Sequence, residues 1–123
     1  MSSYQIDVDS EVEIANYYRT LGISCGEGDI LFRLIMLVLS VKSDNEVTQF
    51  SDIRKYTDAV ADKGSVGSKI KTLILPNGLA LKVERGGYVI TEKGMAVAEY
   101  IKISTLSYNK VKRFNQIIER IPA

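Results

Sequence analysis

The chain has 123 residues, 46% hydrophobic and 25% charged, with 16 Lys+Arg against 15 Asp+Glu, one cysteine and no histidine or tryptophan. This is the composition of one soluble globular domain, with little room for a second. Without imidazole there is no Ser-His or Cys-His nucleophile, no His-containing zinc site and no ordinary general base near neutral pH. The lone Cys25 closes neither an intramolecular disulfide nor a thiolate metal site, and reads as an inert small apolar residue in a reducing interior. No catalytic residue, metal ligand or cofactor is assigned.

The net charge of +1 hides a polarity. Residues 1–31 hold one basic and six acidic groups, whereas residues 63–93 hold six basic and two acidic, and residues 94–123 five and two. An acidic front and a basic back point to a polyanionic partner.

Met1 to Asp9 has no cationic segment followed by an apolar one, so no secretory signal is expected. Ser10 reads as the N-cap of a helix over 10–22, with Glu11 and Glu13 in its first turn and Ile14, Tyr17, Tyr18 and Leu21 along one face until Gly22. The acidic alternation Asp7, Asp9, Glu11, Glu13 lacks the glycine and the distal glutamate of a calcium loop, and reads as a solvated arm. Ile30 to Val41 is apolar nearly all round, interrupted by Arg33 and Ser40. It is too short to span a bilayer and is expected to be the central buried helix of a cytoplasmic protein.

Ser43, Asp44 and Asn45 break that helix, and Val47 to Phe50 is a candidate strand. Ser51 is expected to cap the next helix, with Ile53, Tyr56, Ala59 and Val60 inward. After a turn at Asp62, Lys63 and Gly64, a third helix is expected from Ser65 to Leu75, with Val66, Ile70, Leu73 and Ile74 inward, ended by Pro76, Asn77 and Gly78. The period then becomes two: Leu79, Leu81 and Val83 on one face, Ala80, Lys82 and Glu84 on the other. A turn at Arg85, Gly86 and Gly87 leads into Tyr88 to Thr91, giving a two-stranded hairpin. Thr91 caps a last helix with Met95, Ala98 and Ile101 on its face; a bend is expected at Ser104 to Ser107, before Tyr108, Val111, Phe114, Ile118 and Ile121 continue near heptad spacing.

The fold class is thus mainly α with a small β-hairpin (α+β). Helix, short strand, helix, turn, helix, hairpin over 29–101 resembles the winged helix-turn-helix superfamily. The run from Leu73 to Gly94, with Gly78-Leu79 after the third helix and Tyr88-Val89-Ile90-Thr91-Glu92-Lys93-Gly94 closing the hairpin, resembles MarR-like and PadR-like regulators, Ile90 standing where those families carry Leu. The Ile, Lys, Ser and Tyr usage is also similar to that of small regulators from archaea and their viruses or plasmids. The resemblance implies a single domain over 1–123: an N-terminal helix at 10–22, a winged-helix core at 29–101 and a dimerisation helix at 102–123.

The residue chemistry suits a duplex independently. The outward face of the third helix offers Ser65, Ser68, Lys69, Lys71 and Thr72, small or cationic groups able to approach a major groove. Lys63 stands at its start, while Lys82 and Arg85 on the hairpin can follow the backbone or enter the minor groove. The terminal stripes Ile14, Tyr17, Tyr18, Leu21 and Tyr108, Val111, Phe114, Ile118, Ile121 read as a dimer surface, as in the resembled regulators, and a dimer would read half-sites about one helical turn apart. The expectation is a homodimeric, repressor-like, sequence-specific regulator bound to double-stranded DNA in the cytoplasm at the nucleoid, with no membrane partner. The alternative is a winged-helix module binding another protein in a replication, segregation or transcription complex.

Overall fold

The computed structural model describes residues 4–42 and 46–122. In chain order these form α1 (Val8–Thr20), α2 (Ile30–Val41), β1 (Thr48–Gln49), α3 (Phe50–Thr57), α4 (Lys63–Lys69), which continues as a π turn over Ile70–Ile74, β2 (Ala80–Val83), β3 (Gly87–Ile90) and α5 (Glu92–Glu119). The protein is mainly helical with one small antiparallel sheet, an α+β arrangement. No helix of the described residues is long and apolar enough to cross a membrane. The break expected at Ser43, Asp44 and Asn45 lies outside the described residues.

The sheet order is β1-β3-β2, so the expected two-stranded hairpin gains a third strand. Thr48 pairs with Tyr88 and Gln49 with Gly87, which satisfies the backbone groups on the open edge of β3. Every residue of α2 from Phe32 to Ser40 is buried. Phe32 and Ile35 to Leu39 form one core with Ile53 of α3, Val66, Ile70 and Ile74 of the helix that follows, Tyr88 and Ile90 of β3 and Ile101 of α5, while Val41 at the end of α2 is exposed.

Three helix starts fall earlier than the serines suggest. Asp7, Gln49 and Asp62 are the N-caps, not Ser10, Ser51 and a turn ahead of Ser65. Ser10 and Ser65 instead stand three residues into their helices and donate backbone N–H groups to the capping carboxylates at 3.2 and 2.7 Å. At Asp7 and Asp62 the ionised cap accepts an otherwise unpaired N–H and places a negative charge at the positive end of the helix. At α3 the cap is reciprocal, the Gln49 N–H donating to Asp52 Oδ2.

The alternation along β2 is inverted relative to expectation. Ala80 is buried opposite Ile90, whereas Leu81 is 59% exposed. Leu79 enters the core from the loop ahead of the strand, which shifts the inward set by one and places Lys82 on the same face as its partner Tyr88. The Thr-x-x-Gly stretch now has a physical cause. Thr91 Oγ1 donates to the Gly78 carbonyl at 2.6 Å and accepts the Gly94 N–H at 3.0 Å, and a Cβ on Gly94 would collide with the Leu79 carbonyl oxygen.

α5 is one unbroken helix, so the bend at Ser104 to Ser107 is absent and the expected boundary at 101/102 falls inside an element. Ser104 and Thr105 are buried because their hydroxyls join a polar cluster between α1, α2 and α5. At its centre Arg33 Nε donates to Glu11 Oε1 at 2.7 Å, both side chains being essentially inaccessible. Arg33 Nη2 donates to Thr105 Oγ1 at 2.7 Å and Nη1 to the Glu27 carbonyl at 3.3 Å. The Tyr18 hydroxyl bonds Ser104 Oγ at 2.9 Å. Glu11 is therefore no part of a solvated arm. The other acids of that segment diverge, Asp7 to its cap and Glu13 to Lys112 Nζ at 2.8 Å.

Two carboxylates at helix starts contribute to the pH dependence of the fold. Backbone N–H donors hold Asp52 and Asp62 below their ordinary 3.8, from Gln49 and Ser65 respectively. Folded values below the unfolded ones stabilise above the unfolded pKa, and that stabilisation goes as pH falls through the folded values. Burial, then its bond to Glu13, pushes Tyr108 up to about 12 from 10.0, a contribution complete below pH 10 and lost as pH rises through about 12. With no histidine in the chain, the urea midpoint is expected to be flat from about pH 5 to about pH 9 and to fall on both sides. Circular dichroism across that range checks it; a step near pH 6.5 would contradict it.

Candidate nucleic-acid interface

Two elements make this face. The first is the helix over 63–74, capped by Asp62 and lightened by Gly64 and Gly67. Its second half is wound as a π turn, with Leu75 N–H donating to the Ile70 carbonyl at 2.9 Å, so the α-helix expected to run through Leu75 is widened before it ends. The second is the β2–β3 hairpin. Between them lies an open groove of about 690 Å³ with an apolar floor of Phe50, Ile70, Leu75 and Tyr88 and with Lys63, Lys71 and Lys82 around it.

Apart from Arg85, the expected contact residues divide into three sets. Lys63, Lys71 and Lys82 line this groove. Ser68 and Thr72 border both it and a shallower depression on the far side of the helix, so they form the crest between the two. Ser65 and Lys69 face the far side only. Lys69 is engaged there, its Nζ lying 2.6 Å from Asp29 Oδ2, while Asp29 Oδ1 accepts the Phe32 N–H that caps α2. It ties the helix to α2 and is not a free cation. The Thr72 hydroxyl is likewise committed, donating to the Ser68 carbonyl at 2.7 Å.

Arg85 occupies the hairpin tip with φ +59°, followed by Gly86 at +70°. An L side chain in the left-handed region costs about 1 kcal/mol relative to glycine. The turn therefore presents a cation where glycine or asparagine would fit with less strain. Among the described residues Lys63, Lys71, Lys82 and Arg85 have no ion-pair partner, a state they share with Arg19, Lys93, Lys102, Lys110, Arg113 and Arg120, whereas Arg33, Lys42, Arg54, Lys55, Lys69 and Lys112 are paired; what sets the four apart is that they stand on two adjoining elements. The aromatic floor of Phe50 and Tyr88 was not singled out from the sequence. The strand register sets Tyr88 opposite Lys82, and the groove brings both together with Phe50.

The expected dimer stripes separate. Ile14 is fully buried inside the chain and cannot contribute to a surface. Tyr18 is bonded to Ser104, and Tyr108 packs on Tyr17 with ring centroids 5.0 Å apart and donates to Glu13 at 2.8 Å. Tyr108 thus belongs to the body of the protein. Leu21, Val111, Phe114, Ile118 and Ile121 are exposed, joined on α5 by Tyr100, Ile103, Leu106 and Ile117. Cys25 lies exposed in the loop ahead of α2 and not in the core. Comparison with protein-family models, with curated proteins and with solved structures finds no match.

Proposed function

We propose that the protein is a sequence-specific double-stranded DNA-binding protein, acting as a homodimeric transcriptional regulator of the repressor type. The helix over 63–74 enters the major groove and the β2–β3 hairpin serves as a wing along the backbone. The observation that carries this reading is the convergence of Lys63, Lys71, Lys82 and Arg85, all without ion-pair partners among the described residues, on two adjoining elements. The order α2, β1, α3, α4, β2, β3, with β1 closing the sheet, supports a winged helix-turn-helix.

In this reading the lysines and Arg85 neutralise phosphates and supply most of the affinity. Ser68 and Thr72, small and on the crest, let the helix approach base edges closely. Nothing in the mechanism is catalytic: occupancy of an operator excludes other proteins from it. The exposed outer face of α5 joins two copies, so that two helices read a pseudo-palindrome.

Salt tests this. With six to eight phosphates contacted per dimer, log K is expected to fall against log salt with a slope of roughly −5 to −7, measured by fluorescence anisotropy on duplex DNA. Absent or salt-independent binding overturns the proposal and favours a protein-binding module.

A further inference from the structure

Every residue from Asn109 to Pro122 is exposed, and among the described residues the only ion pair that ties the last third of α5 to the body is Lys112 with Glu13 of α1. A helical segment of that length is marginal alone in water. Its apolar residues nevertheless continue a row that starts over the body of the protein. Ile103, Leu106, Phe114, Ile117 and Ile121 are 50–64% exposed, on the side away from the buried Ala98, Ile101 and Thr105. From Tyr100, Ile103, Ser107, Lys110, Phe114 and Ile117 to Ile121 the steps alternate three and four residues, the seam of a two-stranded coiled coil.

The charges beside the seam give it a direction. Along one edge, at seven-residue spacing, stand Glu92, Glu99, Leu106, Arg113 and Arg120: two acids, an apolar centre, two bases. None of these four charges has an ion-pair partner among the described residues. In a parallel pair this edge would lie beside the opposite edge, where Val97 and Ser104 are turned into the body of the protein and Val111 and Ile118 are exposed, so that its charges find no partner, and Lys110 would face Lys110 in the seam. In an antiparallel pair the edge meets itself reversed, and every acid meets a base. Lys110 then lies level with Tyr100, where its ammonium can sit on the ring.

We propose that two copies of this chain pair antiparallel along the outer face of α5, crossing at Leu106, with Glu99 of each copy facing Arg113 of the other and Glu92 facing Arg120. The two-fold axis passes between the two Leu106 residues, and each C-terminal segment is covered by the first half of the other helix. The overlap runs the 28 residues of α5, about 42 Å. This rests on the homodimer of the preceding subsection and adds its direction and register.

The test uses the full-length chain with Cys25→Ser. Carrying Glu99→Cys and Arg113→Cys together, it is expected to form a covalent dimer under mild oxidation. Leu106→Cys alone is expected to do the same, while Phe114→Cys alone stays uncrosslinked. Efficient crosslinking of Phe114→Cys, with none for the 99/113 pair, overturns the antiparallel arrangement and leaves the homodimer standing. A monomer in sedimentation equilibrium of the unsubstituted protein overturns both, with DNA binding still decided separately by the salt titration. Glu99→Lys is expected to weaken the dimer roughly tenfold and the further change Arg113→Glu to restore it, a rescue that loss of helix structure would not give. Failure of that rescue also overturns the register.

Discussion

Glu11→Ala is expected to lose about 3–5 kcal/mol of folding stability, the cost of leaving a buried guanidinium without its counter-ion. Arg33 is fully buried on α2, and Glu11, 1% exposed, is its only carboxylate within ion-pair distance among the described residues. The remaining partners are neutral: the hydroxyls of Thr105 and Ser104 and the Glu27 carbonyl. Against the 5–15 kcal/mol typical of a domain, such a loss brings the variant close to unfolding at room temperature. Replacing both partners by apolar residues, Glu11→Leu with Arg33→Met, is expected to recover most of it, since a buried pair contributes little over a well-packed apolar substitute. Urea denaturation at neutral pH measures both; a loss under about 1 kcal/mol for Glu11→Ala would mean that the pair is hydrated in solution.

Lys63→Gln, Lys71→Gln and Lys82→Gln combined are expected to reduce duplex affinity at least a hundredfold near 0.1 M salt and to flatten the salt slope by about one unit per phosphate contact removed. The three side chains line one groove and have no ion-pair partner among the described residues, so their removal costs the fold little. Lys69→Gln is the contrasting control. Its ammonium is held by Asp29 at the start of α2, and the expected effect is a stability loss of up to about 1 kcal/mol with little change in affinity. If the triple variant, folded by circular dichroism, binds duplex as before, the groove is not the contact surface.

Much of the fold was legible because its signals were local. The all-apolar period of Ile30 to Val41, the stop at Pro76-Asn77-Gly78 and the cap at Thr91 each follow from one side chain or one short run. What was not legible depended on residues far apart in the chain. Arg33 read as an interruption of an apolar helix and Glu11 as part of an acidic arm, although a lone arginine in a helix buried all round requires a buried acid. Glu11 does share a face with Ile14 and Ala15, and that was the available clue. The alternation of β2 does not fix the faces because Leu79 is buried from the preceding loop and Ala80 from the strand, which leaves Leu81 outward, while Lys82 is exposed on the face of Tyr88. The cations were visible as a cluster in sequence, but only the fold separates the engaged Lys69 from Lys63, Lys71 and Lys82.

Selection of bound duplexes from a random pool by the full-length protein tests the central claim most directly, since recovery of any motif requires sequence-specific DNA binding and its symmetry reports the dimer. The expected result is enrichment of a pseudo-palindrome with two inverted half-sites, lost in the Lys63, Lys71 and Lys82 variant. A folded protein that enriches no sequence over the input pool would contradict it.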